Sequence, residues 1–231
     1  MIGVMGGTFD PVHFGHLRPA LELLQGLSLR EVRFVPLNVA VHRLQPQAGA
    51  TQRAAMLRAA VNGQEGLTVD ERELQRPGGS YSYDTLKSLR EEMGNDEPIC
   101  LLLGSDAFAA FLTWYRPEAI LDLAHLVVLQ RPGEQGPLPA ALSAWSEQRR
   151  CCNASELTKM PGGRILFREV TRLEISATVI RELVSEGRSP RYLLPDAVID
   201  IIERGGLYRS RSHEQRNGAS TVARRAKDLR R

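Results

Sequence analysis

The chain opens with MIGVMGGTFDPVHFGH, residues 1–16, an apolar run followed by two glycines and two closely spaced histidines. The apolar run predicts a β-strand at Met1–Met5, which Gly6–Gly7 would end. Leucines at helical spacing follow, so we expect a helix from Gly15 to about Gly26. The N-terminus of such a helix directs free N–H groups and the positive end of its dipole at a bound anion. The stretch therefore predicts a strand–turn–helix unit with an anion-binding turn.

Strands and helices alternate along the rest of the chain. Further strands are predicted at Val32–Leu37, Leu67–Val69, Ile99–Leu103, Leu126–Gln130 and Ile165–Phe167. Further helices are predicted at Ala50–Val61 with Thr51 as its cap, Ser82–Met93, Glu118–Leu123, Ala177–Glu186 and Asp196–Glu203. The alternation is typical of parallel βαβ units. We therefore expect an α/β fold, a Rossmann-like doubly wound parallel sheet with C-terminal helices, whose ligand binds beyond the carboxyl ends of the strands.

Composition places the chain among ordinary globular proteins. Of its 231 residues 42% are hydrophobic and 25% charged, which suits one substantial core. It has neither an apolar run of about 18 residues nor the basic start of a signal peptide, so we expect no membrane partner. Three cysteines, two of them adjacent, favour the reduced cytoplasm over a disulfide framework. No CxxC spacing is present, so no structural metal site is expected.

The charge is concentrated at the C-terminus. Residues 209–231 hold eight Lys/Arg and two Asp/Glu, a net +6, whereas the whole chain carries only +3. We therefore expect a domain at residues 1–208 and a basic, disordered tail at residues 209–231. The tail lacks interleaved aromatic residues and any groove-binding motif, which argues against a nucleic-acid partner. Salt-dependent binding of RNA through the tail stays open as an alternative, as does a homo-oligomer.

His13 and His16 are the candidate chemical groups of the opening stretch. Two of the five histidines fall within four positions, and residues three apart share one face of a helix. Two imidazoles so placed can donate hydrogen bonds to phosphate oxygens. An ordinary βα turn with two surface histidines is the alternative.

The string GGTFDPVHFGH resembles the HxGH signature of the nucleotidyltransferase superfamily, and most closely the form found in bacterial nicotinate-nucleotide adenylyltransferases. A second string, Ile175-Ser176-Ala177-Thr178-Val179-Ile180-Arg181, resembles that family's ISSTxIR signature, with Ala177 where the family usually has Ser. Ser176 is also a plausible helix cap. The resemblance implies ATP binding by Gly6, Gly7, Thr8, Phe9, His13, His16, Gly104, Asp106, Arg131, Ser176, Thr178 and Arg181. It implies catalysis by His16 and His13.

The acceptor site follows from the same resemblance. Ser82–Leu86 is similar to the family's SYxxxTL segment, and Thr113-Trp114-Tyr115 stands at the family's spacing after Gly104-Ser105-Asp106. A mononucleotide would then be bound by His42, Arg43, Thr85, Trp114 and Tyr115, with Trp114 stacking on the pyridine ring. The family's two prolines before His42 are missing here, and Trp114 as a core residue is the alternative.

The implied activity is adenylyl transfer from ATP to nicotinate mononucleotide, a step of NAD biosynthesis that uses Mg²⁺. No Ser-His-Asp or Cys-His nucleophile arrangement is evident, which fits a phosphate nucleophile that needs no general base. The sequence leaves two alternatives, the same reaction on nicotinamide mononucleotide and a non-catalytic nucleotide sensor. A class I aminoacyl-tRNA synthetase shares the HxGH motif, but Lys159-Met160-Pro161 is not a KMSKS loop.

Overall fold

The computed structural model describes residues 1–40, 44–130, 138–171 and 173–210. Within them seven parallel strands form one sheet in the order β3-β2-β1-β4-β5-β7-β6. The strands are β1 (Ile2–Gly7), β2 (Val32–Pro36), β3 (Leu67–Val69), β4 (Ile99–Gly104), β5 (His125–Gln130), β6 (Arg150–Cys151) and β7 (Ile165–Glu169). The helices are α1 (Phe14–Gly26), α2 (Ala50–Val61), α3 (Arg72–Gln75), α4 (Ser82–Met93), α5 (Ser105–Ala109), α6 (Pro117–Leu123), α7 (Ala140–Glu147), α8 (Ala177–Ser185) and α9 (Asp196–Arg204).

Two apolar cores cover the two faces of this sheet. One core contains buried side chains of α1, α2, α8 and α9, among them Leu23, Leu57 and Ile202. The other contains buried side chains of α4 to α7, among them Leu89 and Phe108. Helices on both faces of a parallel sheet define the doubly wound class. The expected Rossmann-like sheet with C-terminal helices is therefore confirmed.

Two local predictions were wrong. Gly6 and Gly7 do not end the first strand, because β1 keeps its register with β2 as far as the Gly7–Pro36 pair. Thr51 does not cap α2. The helix begins at Ala50, and the N–H of the cap residue Gly49 is donated to the side chain of Gln52 at 2.9 Å. The bounds of α2 are as predicted and only its cap differs, whereas β1 extends further than predicted because β2 supplies hydrogen bonds to it.

A buried arginine fixes the loops at the amino ends of the central strands. Arg90, near the end of α4, is only 8% exposed. Its guanidinium donates to the carbonyls of Leu123, Pro161, Glu97 and Gly94, over distances of 2.5 to 3.3 Å. Burial lowers its pKa, and Glu97 opposes this shift. One buried cation therefore bonds carbonyls from three separate segments of the chain and joins these segments at this end of the sheet.

Replacing Arg90 by Met keeps most of the apolar stem and removes all the donors. We expect a loss of about 3 kcal/mol in the free energy of unfolding, because the charge-assisted hydrogen bonds that join three segments are lost together. Urea unfolding at pH 7 measures it. Arg188→Met is the matched control, since that side chain is 68% exposed and its loss should cost under about 0.5 kcal/mol. Equal stabilities of the two variants would contradict the assignment.

Candidate active site

The two central strands end side by side at a crevice. β1 and β4 are neighbours, and the chain continues from β1 to β2 on one side and from β4 to β5 on the other. This is the topological switch point, where ligands bind in doubly wound sheets. Gly6 and Gly104 lie at these strand ends, and a Cβ added to either would meet no atom within 4 Å. The crevice is therefore open to a ligand at the backbone of both residues.

The side chain of Phe9 packs in the core next to the turn. Its ring is 2% exposed and lies edge-on to the rings of His16, at 5.1 Å, and Phe34, at 5.7 Å. Phe9 has a φ of +50°, and a Cβ on Gly7 would lie 2.8 Å from its ring. Any contact of Phe9 with ATP would therefore be made by its backbone, since the side chain belongs to the core.

His13 and His16 lie together at the start of α1. Their ring centroids are 3.8 Å apart, and His13 is the N-cap residue of the helix. Gly15 makes room for this arrangement, because a Cβ there would lie 2.9 Å from Nδ1 of His13. The backbone N–H of His13 points to Nδ1 of His16 at 3.4 Å. This bond leaves the ring proton of His16 on Nε2, as a donor for a ligand.

Both histidines are neutral at pH 7. Burial lowers the pKa of His13 to about 2, with a further contribution from the charge of His16. Burial also lowers the pKa of His16, to about 4. Two cations this close would repel each other, so each ring offers one N–H donor instead of a full charge. An anion bound beside them would raise both pKa values.

The second signature meets the first in space. Ser176 caps α8 as expected, since its hydroxyl accepts the N–H of Val179 at 3.4 Å. Arg181 donates to the backbone carbonyl of Asp10 at 2.7 Å and to the hydroxyl of Thr178 at 3.1 Å. Among the described residues, two buried side-chain nitrogens have no partner, Nδ1 of His13 and Nε of Arg181. The N-termini of α1 and α8 thus adjoin one another, with Arg181 between them.

The remaining ATP candidates lie at the other strand ends. Asp106 is exposed in the first turn of α5, directly after Gly104. Ser105 between them donates to the carbonyl of Leu129 at 2.9 Å, which ties the ends of β4 and β5 together. Thr8 lies in the turn itself, partly buried.

The mononucleotide candidates fall on two adjoining segments. Thr85 is 3% exposed, and its hydroxyl donates to Glu73 at 2.5 Å. Burial raises the pKa of Glu73. The ring of Trp114 is partly buried against Phe111, and its backbone N–H is already donated to the carbonyl of Phe111. Trp114 thus has part of the core role that the sequence left open.

Tyr115 is the exposed member of an aromatic cluster. Its side chain is 43% exposed and its ring centroid is 5.0 Å from that of Tyr81. The guanidinium of Arg116 lies over the rings of both Tyr83 and Tyr115, at 5.0 and 5.1 Å. The three other candidates, His42, Arg43 and Arg131, lie outside the described residues.

Two buried residues of the site have no role in the sequence prediction. Asp10 is 5% exposed and accepts the N–H groups of Gln47 and Ala48 at 2.8 and 3.1 Å. Arg53 is 1% exposed and donates to the carbonyls of Thr8, Leu37 and Ala48 at 2.7 to 3.2 Å. A charged residue on the apolar face of α2, in line with Leu57, was the available signal for Arg53.

In the described part of the chain, no group of three or more His, Cys, Asp or Glu side chains is placed to hold a metal ion. In residues 1–40, 44–130, 138–171 and 173–210 no helix has the length and apolar character needed to cross a bilayer.

Comparison with known proteins identifies the class of this site. The family model of cytidylyltransferase-like proteins matches residues 4–183. The chain belongs to this family.

Two bacterial relatives narrow the assignment. The chain is 48% identical over 209 residues to a probable nicotinate-nucleotide adenylyltransferase of Methylococcus capsulatus, covering 90% of this chain and 99% of the relative. It is also 48% identical to the protein of the same name from Pseudomonas aeruginosa, covering 90% and 97% of the two chains. Within the family the chain therefore groups with the nicotinate-nucleotide adenylyltransferases, as the opening motifs predict.

A solved structure supports the fold. Nicotinic acid mononucleotide adenylyltransferase of Plasmodium falciparum, complexed with NaAD, matches with a TM-score of 0.63 at 18% identity. The match covers 90% of this chain and 96% of that one.

The lowered pKa values of the histidine pair predict an acid-sensitive fold. Between about pH 6.5 and 4 the unfolded chain binds protons that the folded histidines do not, so stability falls as the pH falls through this range. In the His16→Asn variant the free energy of unfolding should fall less steeply with falling pH, by up to about 1.4 kcal/mol per pH unit.

Urea unfolding of the wild type and of His16→Asn, from pH 7 to 4.5, measures this difference in slope. His125 is present in both, so its own lowered pKa cancels from the comparison. Parallel curves for the two proteins would show that His16 titrates normally in the fold.

Proposed function

We propose that the chain transfers the adenylyl group of ATP to the 5′-phosphate of nicotinate mononucleotide, giving nicotinate adenine dinucleotide and pyrophosphate in NAD biosynthesis. The observation that carries this is the meeting of two helix N-termini, with a neutral histidine pair and Arg181, at the switch point of the sheet. Such a site presents N–H donors to a polyphosphate without a catalytic nucleophile. The names of the relatives support the same reaction.

The nucleophile in this reaction is the mononucleotide phosphate, which is ionised at neutral pH. It attacks the α-phosphorus of ATP, a P–O bond forms, and the bond to the pyrophosphate oxygen breaks. No general base is needed, so the protein contributes positioning and stabilisation of charge on the phosphoryl oxygens. His16, with Nε2–H free to donate, would act nearest the transferring phosphorus, and His13 beside it.

The β- and γ-phosphates would lie at the start of α8. Ser176 and Thr178 supply hydroxyls there, and Arg181 supplies the charge. Arg181 already donates to the carbonyl of Asp10, so it is oriented before ATP arrives. The nucleotide would be adjoined by Gly6, Gly7, Thr8 and the backbone of Phe9. Its ribose would lie near Gly104 and Asp106, and its phosphates near Arg131.

We propose that Mg²⁺ enters with ATP. In the described residues the acidic and histidine side chains are not grouped as metal ligands, which suits an ion held by phosphates and water. When bound, the ion neutralises phosphate charge. The protein groups that share this task are the N–H donors at α1 and α8.

The pyridine end would lie between Thr85, Trp114 and Tyr115, with His42 and Arg43 near the mononucleotide phosphate. A nicotinate carboxylate would compete with Glu73 for the hydroxyl proton of Thr85. The guanidinium of Arg116, over the ring of Tyr115, adds positive charge on the same side. We propose on this basis a preference for nicotinate over nicotinamide mononucleotide. The tail at residues 209–231, of which 211–231 lie outside the described residues, would take no part in the reaction.

The assay combines purified protein, ATP, Mg²⁺ and either mononucleotide, and measures release of pyrophosphate. His16→Ala should lower turnover by about 10² or more with the fold intact, because a donor to the transition state is lost. His213→Ala, a histidine of the expected tail, is the control and should keep wild-type turnover. Near wild-type turnover in His16→Ala would remove His16 from the mechanism. No pyrophosphate with either mononucleotide would favour a nucleotide sensor.

Thr85→Val tests the substrate preference. The ratio of kcat/KM for nicotinate to that for nicotinamide mononucleotide should fall about tenfold, because one hydrogen bond to the carboxylate is lost. The ratio cancels any loss of folded protein that follows from breaking the bond to Glu73. Thr85→Ser keeps the hydroxyl and should keep the ratio. An unchanged ratio in Thr85→Val would place carboxylate recognition elsewhere.

A further inference from the structure

The buried carboxylate of Asp10 joins three distant parts of the chain. Its Oδ2 accepts the N–H of Gln47, and its Oδ1 accepts both the N–H of Ala48 and the hydroxyl of Tyr208. The bond to Tyr208 is 2.7 Å long and spans 198 positions of the sequence. Asp10 lies within the GGTFDPVHFGH turn, but these bonds direct its carboxylate into the protein. It therefore acts as a junction beneath the site.

The groups that meet at Asp10 also hold the substrate-binding segments. Gln47 and Ala48 lie directly before α2, a few positions after His42 and Arg43 in the sequence. Arg181, a candidate phosphate ligand, donates to the backbone carbonyl of the same Asp10. A shift of Asp10 would consequently move Arg181 and the backbone before α2 together.

Tyr208 differs from these other partners because it bonds Asp10 through a side-chain hydroxyl. Its ring is 9% exposed, in the core that α9 shares with α1 and α2. Burial and the bond to Asp10 both raise the pKa of Tyr208, so the phenol keeps its proton at any working pH. Its φ of +64° is rare for a residue with a side chain, so the surrounding structure holds it in place.

We propose that Tyr208 is a positioning residue for the reaction, which acts through Asp10 on the phosphate-binding turn. The inference rests on the proposed adenylyl transfer and extends it to a residue outside the recognised signatures. Tyr208 touches no candidate substrate position directly, and the hydroxyl is its link to the turn. Removing only that hydroxyl should therefore change the kinetics of a protein that is still folded.

Tyr208→Phe keeps the ring and removes the hydrogen bond. In the full chain, assayed well below its melting temperature, kcat/KM for ATP should fall about five- to tenfold. Tyr192→Phe is the matched control, since Tyr192 is 84% exposed, and it should match the wild type. A lower melting temperature with unchanged kcat and KM in Tyr208→Phe would assign a purely structural role and overturn the proposal.

A double-mutant cycle shows whether Tyr208 acts through Asp10. Asp10→Asn alone should lower kcat/KM at least as much, and adding Tyr208→Phe to it should cause little further loss. Independent, multiplying effects would overturn the proposed route. If Tyr208→Phe does not fold, the kinetics of Asp10→Asn test the proposal without it. Wild-type kinetics of Asp10→Asn would reject the inference. A wild-type protein inactive on both mononucleotides would instead reject the proposed function, which separates the two failures.

Discussion

The site depends on three backbone carbonyls that share one buried guanidinium. Arg53 bonds the carbonyl of Thr8 in the turn after β1, that of Leu37 beyond β2 and that of Ala48 before α2. Leu37 and Ala48 lie before and after the segment that connects β2 to α2, and Arg53 joins both of them to the turn. Burial lowers the pKa of Arg53, while the nearby carboxylate of Asp10 opposes the shift. A buried cation with no carboxylate bonded directly to it is stable here because neutral carbonyls solvate it.

The chemistry at the crevice also depends on how burial affects charged groups. His13 and His16 lie close enough that two positive charges would be costly, and burial keeps both rings neutral. In the part of the chain that the structure describes, helix N-termini and Arg181 then supply positive potential that does not depend on pH near neutrality. A polyphosphate can be bound strongly in this way, while the imidazoles stay able to donate hydrogen bonds as charge develops. Gly15 makes the arrangement possible, since a side chain there would displace the ring of His13.

Most of the fold could be predicted from the sequence, because strongly apolar strands such as β4 and amphipathic helices such as α9 have clear periodicities. Four short elements escaped prediction: β6 has two residues, α3 four, α5 five and α7 eight, so each contains little more than one or two periods of its structure. In the site, the glycines and histidines were recognisable because each residue type has a specific chemical use. Asp10 and Arg53 were not, since their roles include partners 37 and 45 positions away, Gln47 for Asp10 and Thr8 for Arg53, which no local pattern records. The partly buried Trp114 shows the same limit, because its packing against the core that contains Leu89 and Phe108 is a property of the tertiary structure.

The bond between Asp10 and Tyr208 also bears on how the protein is made. The turn that contains Asp10 is synthesised before Tyr208, which is added 198 residues later. At about 5–20 residues per second, this interval lasts roughly ten seconds or more. During that time Asp10 lacks the hydroxyl of Tyr208, and until α8 emerges its carbonyl also lacks the guanidinium of Arg181. These two contacts therefore form only after α8 and α9 have been synthesised, and a chain that terminates before α9 would have the turn without the hydroxyl of Tyr208.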